Sequence, residues 1–435
     1  MKYKAAKPEN GAGQKGSNGV GYKSRIFPPM KVIEEFARDM RTGTDRINEA
    51  RKRPGFRGFV AVFGSSHFKP SDADYVLASD TSYEFGKHGY GTITGDGKGI
   101  MKAGNEGAAA AGAASIGLYR YAVGKDESMR EKIQAEVHTM YSRKVLFTEN
   151  SSAVIVFPGG YGTLDELFES LRLIQTGNLK GMQVILMGNE KYWKSLLKWL
   201  ENRALGRGFI NQAEFGLMKY AANPKEALKI IRQRKLVPIS HDAGSIAGMF
   251  AQDMKTCSEN LGFLAQKSAS IFGSASKGFF DSIKEAASRL ARQGYAIYSG
   301  GWTMDAVASG VLDASQKTPW PIPVFFMNNE KPSSIHVPLN MMASRKLILG
   351  SSDALVFYPG GYGTLDELFD YAVRVQIGDM ERIPVITADR QFWEPLYHWI
   401  RKYPLEMGLI DRKDTGILTM ANRPRDVIRI IMESQ

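Results

Sequence analysis

The chain has 435 residues, 43% of them hydrophobic and 23% charged, and carries a net charge of +12. This composition excludes a disordered chain and allows two or three globular domains. The sequence has no apolar run near the ~20 residues of a membrane helix and no apolar signal-peptide core at its N-terminus. Its one cysteine excludes an intrachain disulfide framework, and its six histidines lack metal-ligand spacing. We therefore expect a cytoplasmic protein with no metal, no cofactor and no membrane partner.

The first 57 residues form a basic segment, with 14 Lys and Arg against 6 Asp and Glu. We expect residues 1–25 to be a solvated tail, or else a contact for nucleic acid, an acidic partner or a neighbouring subunit. Aromatic residues are sparse there, which weakens the case for stacking on single-stranded nucleic acid and makes nucleic acid the less favoured partner. Ile33, Phe36 and Met40 recur at helical spacing and predict a helix over residues 29–53.

From residue 58 onward, predicted strands alternate with predicted helices. Residues 58–66 read as a buried strand that runs into a turn of small residues, and residues 90–101 as a second strand with a glycine-rich turn. An apolar run at 153–157 leads into a glycine turn and then a helix. The other predicted elements are helices at 72–88, 103–114, 192–205 and 224–234 and a strand at 183–187, while 119–140 has no clear pattern. This alternation is typical of an α/β fold with a doubly wound parallel sheet.

The segment 158–168 occurs a second time, residue for residue, at 359–369. Around it the order of elements repeats, with a strand and turn at 269–276, a second strand and glycine turn at 295–301 and an Arg-Lys pair at 345–346. Ile246, Met249, Phe250 and Met254 are spaced to form one face of a connecting helix. We therefore predict two tandem Rossmann-like domains: a basic arm and helix at 1–56, the first domain at 57–235, a linker at 236–262 and the second domain at 263–435.

The repeated glycine turn points to an anion. Ligands of an open parallel sheet bind at the carboxyl ends of the strands, where the glycine-rich turns of both units fall. The Gly-Gly-Tyr-Gly-Thr turn leaves backbone N–H groups unshielded at a helix N-terminus, which suits a phosphate. The alternative is that these glycines only permit a tight turn between strand and helix.

The charged residues around the turn have two interpretations. Thr163 and Glu166 have the spacing of a capping box, and so do Thr364 and Glu367, so each glutamate is either a helix cap or a catalytic group. Asp165 and Asp366 are expected to be first-turn acids favoured by the helix dipole, and Glu169 and Asp370 solvated residues of the helix face. Arg143 and Arg345 either form surface ion pairs or border the cleft, where they would hold a phosphate or orient a carboxylate.

An Arg-Lys pair, a strand and then PGGYGTLDELFE together resemble the Lonely Guy (LOG) family, nucleoside 5′-monophosphate phosphoribohydrolases often mislabelled as lysine decarboxylases. The resemblance covers about residues 58–234 and, more weakly, 268–432. Three positions depart from the family pattern. Asp96 would bring a carboxylate near an anionic ligand, Lys102 replaces a glutamate, and Trp302 is bulky.

The resemblance implies hydrolysis of the N-glycosidic bond of nucleoside 5′-monophosphates to free base and ribose 5-phosphate, without a metal. It implies that Glu166 and Glu367 act at the sugar C1′, orienting water or stabilising an oxocarbenium-like transition state, with Arg143 and Arg345 as catalytic partners. The residues implied to bind phosphate and substrate are Gly64, Ser65, Gly95, Gly97, Lys144, Gly159, Gly160, Gly162 and Thr163 in the first unit, and Gly273, Ser274, Gly300, Gly301, Lys346, Gly360, Gly361, Gly363 and Thr364 in the second.

Family members are dimers with active sites near the subunit interface, so the resemblance implies that the tandem chain is a fused pseudo-dimer, with further self-association open. Two other functions stay open. The altered turns at Asp96 and Trp302 are compatible with a nucleotide-binding or sensing protein in which one or both pockets are degenerate. The basic N-terminal segment is compatible with a scaffold or nucleic-acid-associated protein.

Overall fold

The computed structural model describes residues 30–120, 132–179, 181–233, 243–261, 267–274, 278–299, 303–316, 324–326, 335–336 and 352–434. In this part of the chain no helix has both the length and the apolar character needed to cross a bilayer.

The first unit is built on a seven-stranded parallel sheet with the order β4-β3-β2-β1-β5-β6-β7. The central strands are buried along almost their whole length because helices cover both faces of the sheet. The strands are β1 (Gly58–Phe63), β2 (Tyr90–Thr94), β3 (Ser115–Arg120), β4 (Ile133–Val137), β5 (Ser151–Val156), β6 (Gln183–Leu186) and β7 (Met218–Tyr220). The helices are α1 (Met30–Arg51), α2 (Ala73–Lys87), α3 (Ile100–Ala110), α4 (Met140–Asn150), α5 (Tyr161–Gln175), α6 (Glu190–Leu200), α7 (Gln212–Phe215) and α8 (Pro224–Arg232).

The second unit repeats this sheet with the order β11-β10-β9-β8-β12-β13-β14, and all its strand pairs are parallel. Its strands are β8 (Ser268–Phe272), β9 (Ala296–Ser299), β10 (Val324–Phe326), β11 (Ile335–His336), β12 (Ala354–Phe357), β13 (Val385–Ala388) and β14 (Leu418–Ala421). The helix α9 (Ala243–Leu261) lies between the two units in sequence, and the helices of the second unit are α10 (Phe280–Arg292), α11 (Met304–Ser315), α12 (Tyr362–Gln376), α13 (Arg390–Ile400) and α14 (Pro424–Glu433). The predicted fold class, two tandem doubly wound α/β sheets, is confirmed.

The order of strands reverses between β1 and β5, and again between β8 and β12, so each sheet has a switch point of the kind at which ligands bind in open parallel sheets. Backbone hydrogen bonds bring two loops together at each switch point. The N–H of Ser65 donates to the carbonyl of Pro158 at 3.1 Å, and that of Ser274 donates to Pro359 at 2.9 Å. The small-residue turn and the repeated glycine turn therefore meet in both units.

The sequence pattern did not reveal three elements between residues 115 and 150. The strands β3 and β4 and the helix α4 all went unpredicted. Helix α4 has no clean amphipathic period because it is covered on several sides, with Tyr141, Lys144 and Phe147 all buried. Burial on every side removes the alternation of polar and apolar residues from which a helix is recognised.

A helix precedes each sheet, and the two helices pack on each other. The rings of Phe36 in α1 and Phe250 in α9 stack with centroids 4.0 Å apart. On the predicted face of α9, Ile246, Phe250 and Met254 are buried, whereas Met249 is 36% exposed. The segment 236–262 thus contains a helix that belongs to the packing around the first unit. The predicted domain boundaries stay a prediction, and residues 1–29 lie outside the described part of the chain.

The two units share one hydrophobic core around a pseudo-two-fold axis. Helices α5 and α12 pack against each other, with Phe168 and Phe369 stacked at 5.5 Å and 9°. Two tryptophans beside these helices make equivalent hydrogen bonds across the interface. The indole N–H of Trp199 donates to the Phe392 carbonyl at 3.1 Å. The indole N–H of Trp399 donates to the Tyr192 carbonyl at 3.2 Å. Each unit thus completes the packing of the other.

Phe168→Ala is expected to lower the free energy of unfolding by about 3–5 kcal/mol, because it deletes a ring between the units and leaves a cavity. Urea denaturation followed by circular dichroism measures the loss. Phe280→Ala is the control, since that ring is 39% exposed and its removal should change the free energy by no more than about 0.5 kcal/mol. Equal losses in the two variants would contradict a shared core at α5 and α12.

Candidate functional site

A cleft of about 1070 Å³ opens at the switch point of the first sheet. It lies at the carboxyl ends of β1, β2 and β5, where both glycine-rich turns and the head of α5 converge. The structure brings together at this cleft nine residues predicted from the sequence: Gly64, Ser65, Gly95, Gly97, Arg143, Gly160, Gly162, Thr163 and Glu166.

The helix α5 starts differently from the capping-box interpretation. Its N-cap is Gly160, which offers no side-chain cap, and Tyr161 is the first helical residue. Thr163 therefore lies inside the first turn and lines the cleft. In the second unit Gly361 takes the same place at the head of α12, again without a side-chain cap. Of the two interpretations, the capping box therefore does not hold for Thr163 and Glu166 or for Thr364 and Glu367.

Gly160 is required by the approach of the second unit. A methyl group on Gly160 would lie 2.6 Å from Cγ2 of Ile410 and 2.7 Å from the carbonyl oxygen of Leu409. No real Cβ atom tolerates such contacts with a backbone. The glycine therefore lets the second unit close over the start of α5, which makes the first cleft partly a product of the interface.

Glu166 and Arg143 face each other in the cleft without a close hydrogen bond. The distance from Arg143 Nη2 to Glu166 Oε1 is 3.9 Å, and the two side chains are 14% and 16% exposed. Burial raises the pKa of the Glu166 carboxyl to about 7, against the lowering effect of Arg143 and Lys144. This carboxylate is therefore poorly solvated and loosely paired, a state typical of a reacting group.

The guanidinium of Arg143 packs against the glycine-rich turn after β2. A side chain at Gly95 would overlap the Arg143 guanidinium, which in turn lies over the Phe147 ring with 5.5 Å from Cζ to the centroid. Its Nε atom is buried and has no hydrogen-bond partner within the described residues. The guanidinium thus keeps donor capacity beside the cleft.

Asp96 does not present the uncompensated carboxylate that the sequence led us to expect. It is 5% exposed and forms a buried ion pair with Lys132. Its Oδ2 also accepts a hydrogen bond from Gln134 Nε2 at 2.7 Å. Because the Lys132 ammonium neutralises this carboxylate and the Gln134 amide hydrogen bonds to it, Asp96 does not repel an anionic ligand as an isolated charge would.

Lys144 does not line the cleft, and its predicted phosphate contact does not fit its surroundings. Its ammonium lies 2.6 Å from Asp165, 3.1 Å from Glu169 and 2.6 Å from Asp370 of the second unit. Burial alone lowers the pKa of Lys144, but these carboxylates outweigh burial and hold the pKa well above its usual value. Lys144 is therefore an ion of the interface between the units.

The acidic residues beside the two glutamates also correct the sequence predictions. Glu169 and Asp370 are buried, so neither is the solvated helix-face residue that was predicted. Asp165 and Asp366 are buried too and lie beyond the first turn of their helices, so the prediction of first-turn acids is wrong. Side-chain oxygens of Asp165, Glu169 and Asp366 lie close enough to hold a cation, and the Lys144 ammonium already contacts two of these carboxylates.

The predicted phosphate-binding residue Gly159 does not line the cleft. The Tyr192 hydroxyl donates a hydrogen bond to its carbonyl at 2.8 Å.

The described second-unit residues have a different environment. Glu367 is 6% exposed, and its Oε1 accepts a hydrogen bond of 2.9 Å from Nη1 of Arg172, a residue of the first unit. Gly363 lies next to the same arginine. Gly273, Ser274, Gly360, Gly361 and Thr364 occupy positions equivalent to the first-unit turns. The predicted Gly300, Gly301, Arg345 and Lys346, together with Trp302, lie outside the described residues.

Sequence reasoning missed the part of the first cleft that comes from the second unit. Val373, Gln376 and Ile377 at the end of α12 line the cleft together with residues near Leu409–Asp414. Gln376 Nε2 donates to Asp414 Oδ2 at 2.6 Å, and the Tyr161 hydroxyl donates to the Asp414 carbonyl at 3.3 Å. The repeat and its resemblance to a dimeric family predicted an interfacial site, but no local motif marks these residues.

Asp39 of α1 holds the start of the helix that carries Arg143. It is fully buried, and Oδ2 accepts hydrogen bonds from the backbone of His138 at 2.8 Å, the backbone of Thr139 at 3.0 Å and the hydroxyl of Ser142 at 2.5 Å. Its other oxygen contacts His138 Nδ1 at 2.8 Å. The helix predicted in the basic N-terminal segment is thus tied to the candidate site.

A family model described as "Possible lysine decarboxylase" matches residues 101–231 and 304–431. The chain belongs to this family. Both members of the repeat are covered, which agrees with the resemblance to LOG proteins in each unit and confirms the tandem form.

Curated relatives of this LOG family chain match only part of it. A cytokinin riboside 5′-monophosphate phosphoribohydrolase of Arabidopsis thaliana is 37% identical over 93 residues, 21% of this chain and 43% of that protein. One of Rhodococcoides fascians is 39% identical over 77 residues, 18% of this chain and 38% of that protein. The chain thus spans less than half the length of these relatives. A molybdenum cofactor binding protein of Rippkaea orientalis has a TM-score of 0.31 at 19% identity, covering 41% of this chain and 96% of that one.

Asp39→Ala is expected to lower the free energy of unfolding by about 3 kcal/mol, because it leaves several buried donors without an acceptor. Urea denaturation at neutral pH measures the loss. Asp45→Ala is the matched control, since Asp45 is exposed on the same helix and its removal should cost at most about 0.5 kcal/mol. Similar values for both variants would mean that Asp39 does not hold the start of α4.

Proposed function

We propose that the first-unit cleft hydrolyses the N-glycosidic bond of nucleoside 5′-monophosphates, giving free base and ribose 5-phosphate. The observation that carries the proposal is the loosely paired, buried Glu166–Arg143 pair beside a glycine turn at the head of α5. The curated relatives are named for this reaction on cytokinin riboside 5′-monophosphates, which supports the reaction class for this chain.

The phosphate of the substrate is proposed to bind at the head of α5. The backbone N–H groups of the first turn, at Tyr161, Gly162 and Thr163, carry the positive end of the helix dipole. The Thr163 hydroxyl adds a further donor. Basic side chains also line the cleft, and an anion entering it would meet the following cations: Lys69, Lys98, Lys102, Arg120 and Lys413.

With the phosphate at this turn, the sugar would lie towards Glu166, which stands one helical turn further along α5. Hydrolysis breaks the bond between C1′ and the base nitrogen, and water supplies the hydroxyl at C1′ and the proton taken up by the base. Positive charge develops at the sugar as the bond lengthens. An ionised Glu166 in a poorly solvated cleft stabilises this charge and accepts a hydrogen bond from the attacking water.

Arg143 suits the role of a partner that orients Glu166. At 3.9 Å its guanidinium is near enough to keep the carboxylate in place, yet it leaves the carboxylate oxygens able to serve the sugar and the water. A tight, doubly hydrogen-bonded pair would cancel the charge that the transition state needs. The long distance is therefore a feature that supports the catalytic assignment of Glu166.

Base release from AMP, GMP, CMP and UMP tests the proposal, with product separated by chromatography. We expect the purified chain to release base from at least one of them, and Glu166→Gln to lower kcat by about 100-fold or more, the usual cost of losing one charge-stabilising group. Glu190→Gln, at an exposed position at the start of α6, is the control and should keep the full rate. Tight nucleotide binding without base release would favour a sensing role and would contradict hydrolysis.

The pH dependence gives a second test. Because the ionised form of Glu166 is the active one, kcat/KM should rise with pH through about 7 and then level off. The substrate phosphate titrates near a pKa of ~6 and contributes a separate limb. Glu166→Asp should shift the transition near pH 7 that belongs to Glu166 and leave the transition of the substrate phosphate in place. A rate that falls above pH 7 would instead indicate that Glu166 acts as a proton donor.

A further inference from the structure

The two glutamates of the repeated motif have identical neighbours in sequence but different partners in space. Glu166 has a guanidinium 3.9 Å away. Glu367 is hydrogen bonded at 2.9 Å to Nη1 of Arg172, and the same nitrogen donates to Asp366 at 2.9 Å. The guanidinium of Arg172 comes from the first unit and is itself buried. The carboxylate of Glu367 is therefore closely paired, and that of Glu166 is not.

One position on the two packed helices differs in line with this contrast. Counted from the repeated motif, Arg172 in α5 corresponds to Val373 in α12. Each crosses the pseudo-two-fold axis to the other unit. A methyl group at Gly162 would lie 3.4 Å from Val373 Cγ2, and one at Gly363 would lie 3.5 Å from Arg172 Nε. The first cleft thus receives an isopropyl group where the second motif receives a guanidinium.

We propose, building on the proposed function, that Arg172 holds Glu367 out of catalysis, so that the chain has one hydrolytic centre, at Glu166, and Arg172 is the residue that makes its halves unequal. A carboxylate stabilises a developing sugar cation only while its charge is not cancelled. Arg172 holds the Glu367 carboxylate at hydrogen-bond distance and offsets part of its charge, shared with Asp366, in a buried site where screening by water is weak. Its own positive charge would also stand near the developing cation and oppose it.

The first experiment compares base release by Glu166→Gln, Glu367→Gln and Val373→Arg with that of the unchanged chain. We expect Glu367→Gln to stay within about twofold of the unchanged chain, while Glu166→Gln loses about 100-fold or more. Val373→Arg brings the arginine of the second motif to the first cleft and should lose activity in the same way. Val373→Met adds bulk without charge, and it should lose at least about tenfold less than Val373→Arg.

The outcomes separate the two proposals. Base release that depends on Glu367 as strongly as on Glu166 would overturn the single-centre proposal and leave the proposed function intact. A Val373→Arg chain that hydrolyses as well as Val373→Met would also overturn it. If the unchanged chain releases no base from any nucleotide, the proposed function fails, and the pairing of Arg172 is then judged from stability.

The stability measurement uses the urea midpoints of Arg172→Met, Glu367→Gln and the double variant. Removing Arg172 alone leaves two buried carboxylates, Asp366 and Glu367, without that cation, so its midpoint should fall most. Removing Glu367 as well should restore part of the loss, because one charge fewer needs a partner. A double variant no more stable than Arg172→Met would show that the two side chains do not interact, and would overturn the proposal without any activity assay.

Discussion

The packing of α5 against α12 is the constraint on which the rest of the molecule depends. These helices begin at the two glycine turns and cross at Phe168 and Phe369, so the contact that joins the units also fixes where both candidate sites start. Position 160 requires glycine because the backbone of the second unit at Leu409 lies against the start of α5. A substitution at the start of α5 or α12 is therefore expected to change both the stability of the protein and the geometry of the site.

The same contact buries an unusual amount of charge. Lys144 joins carboxylates of both units, and Arg172 reaches across to Asp366 and Glu367. Buried ion pairs contribute little net stability compared with apolar packing, but losing one member is costly because the other stays buried and unpaired. Such pairs therefore fix the position of one helix along the other, because a small sliding movement would separate several of them at once.

The sequence was sufficient for the fold class, the repeat and most of the first cleft, since strand-turn-helix patterns and paired glycine turns are local signals. It was insufficient wherever the decisive partner is distant along the chain. Lys144 lies next to Arg143 in sequence, yet one meets interfacial carboxylates and the other the cleft, since neighbouring helix positions point about 100° apart. Asp96 was misread because its partner Lys132 lies in a stretch without clear pattern. The capping interpretation failed because the glycine, not the threonine, ends the turn.

The covalent linkage of the two units changes what one substitution can do. In a symmetric homodimer, every residue of the helix pair occurs twice, so an arginine that crosses to the partner's glutamate would silence both centres at once. In this chain the corresponding positions, Arg172 and Val373, are encoded separately and differ. The second unit can then serve to line the first cleft and to hold the start of α5, without a reaction centre of its own. With both halves in one chain, a position that symmetry would make identical can differ between them.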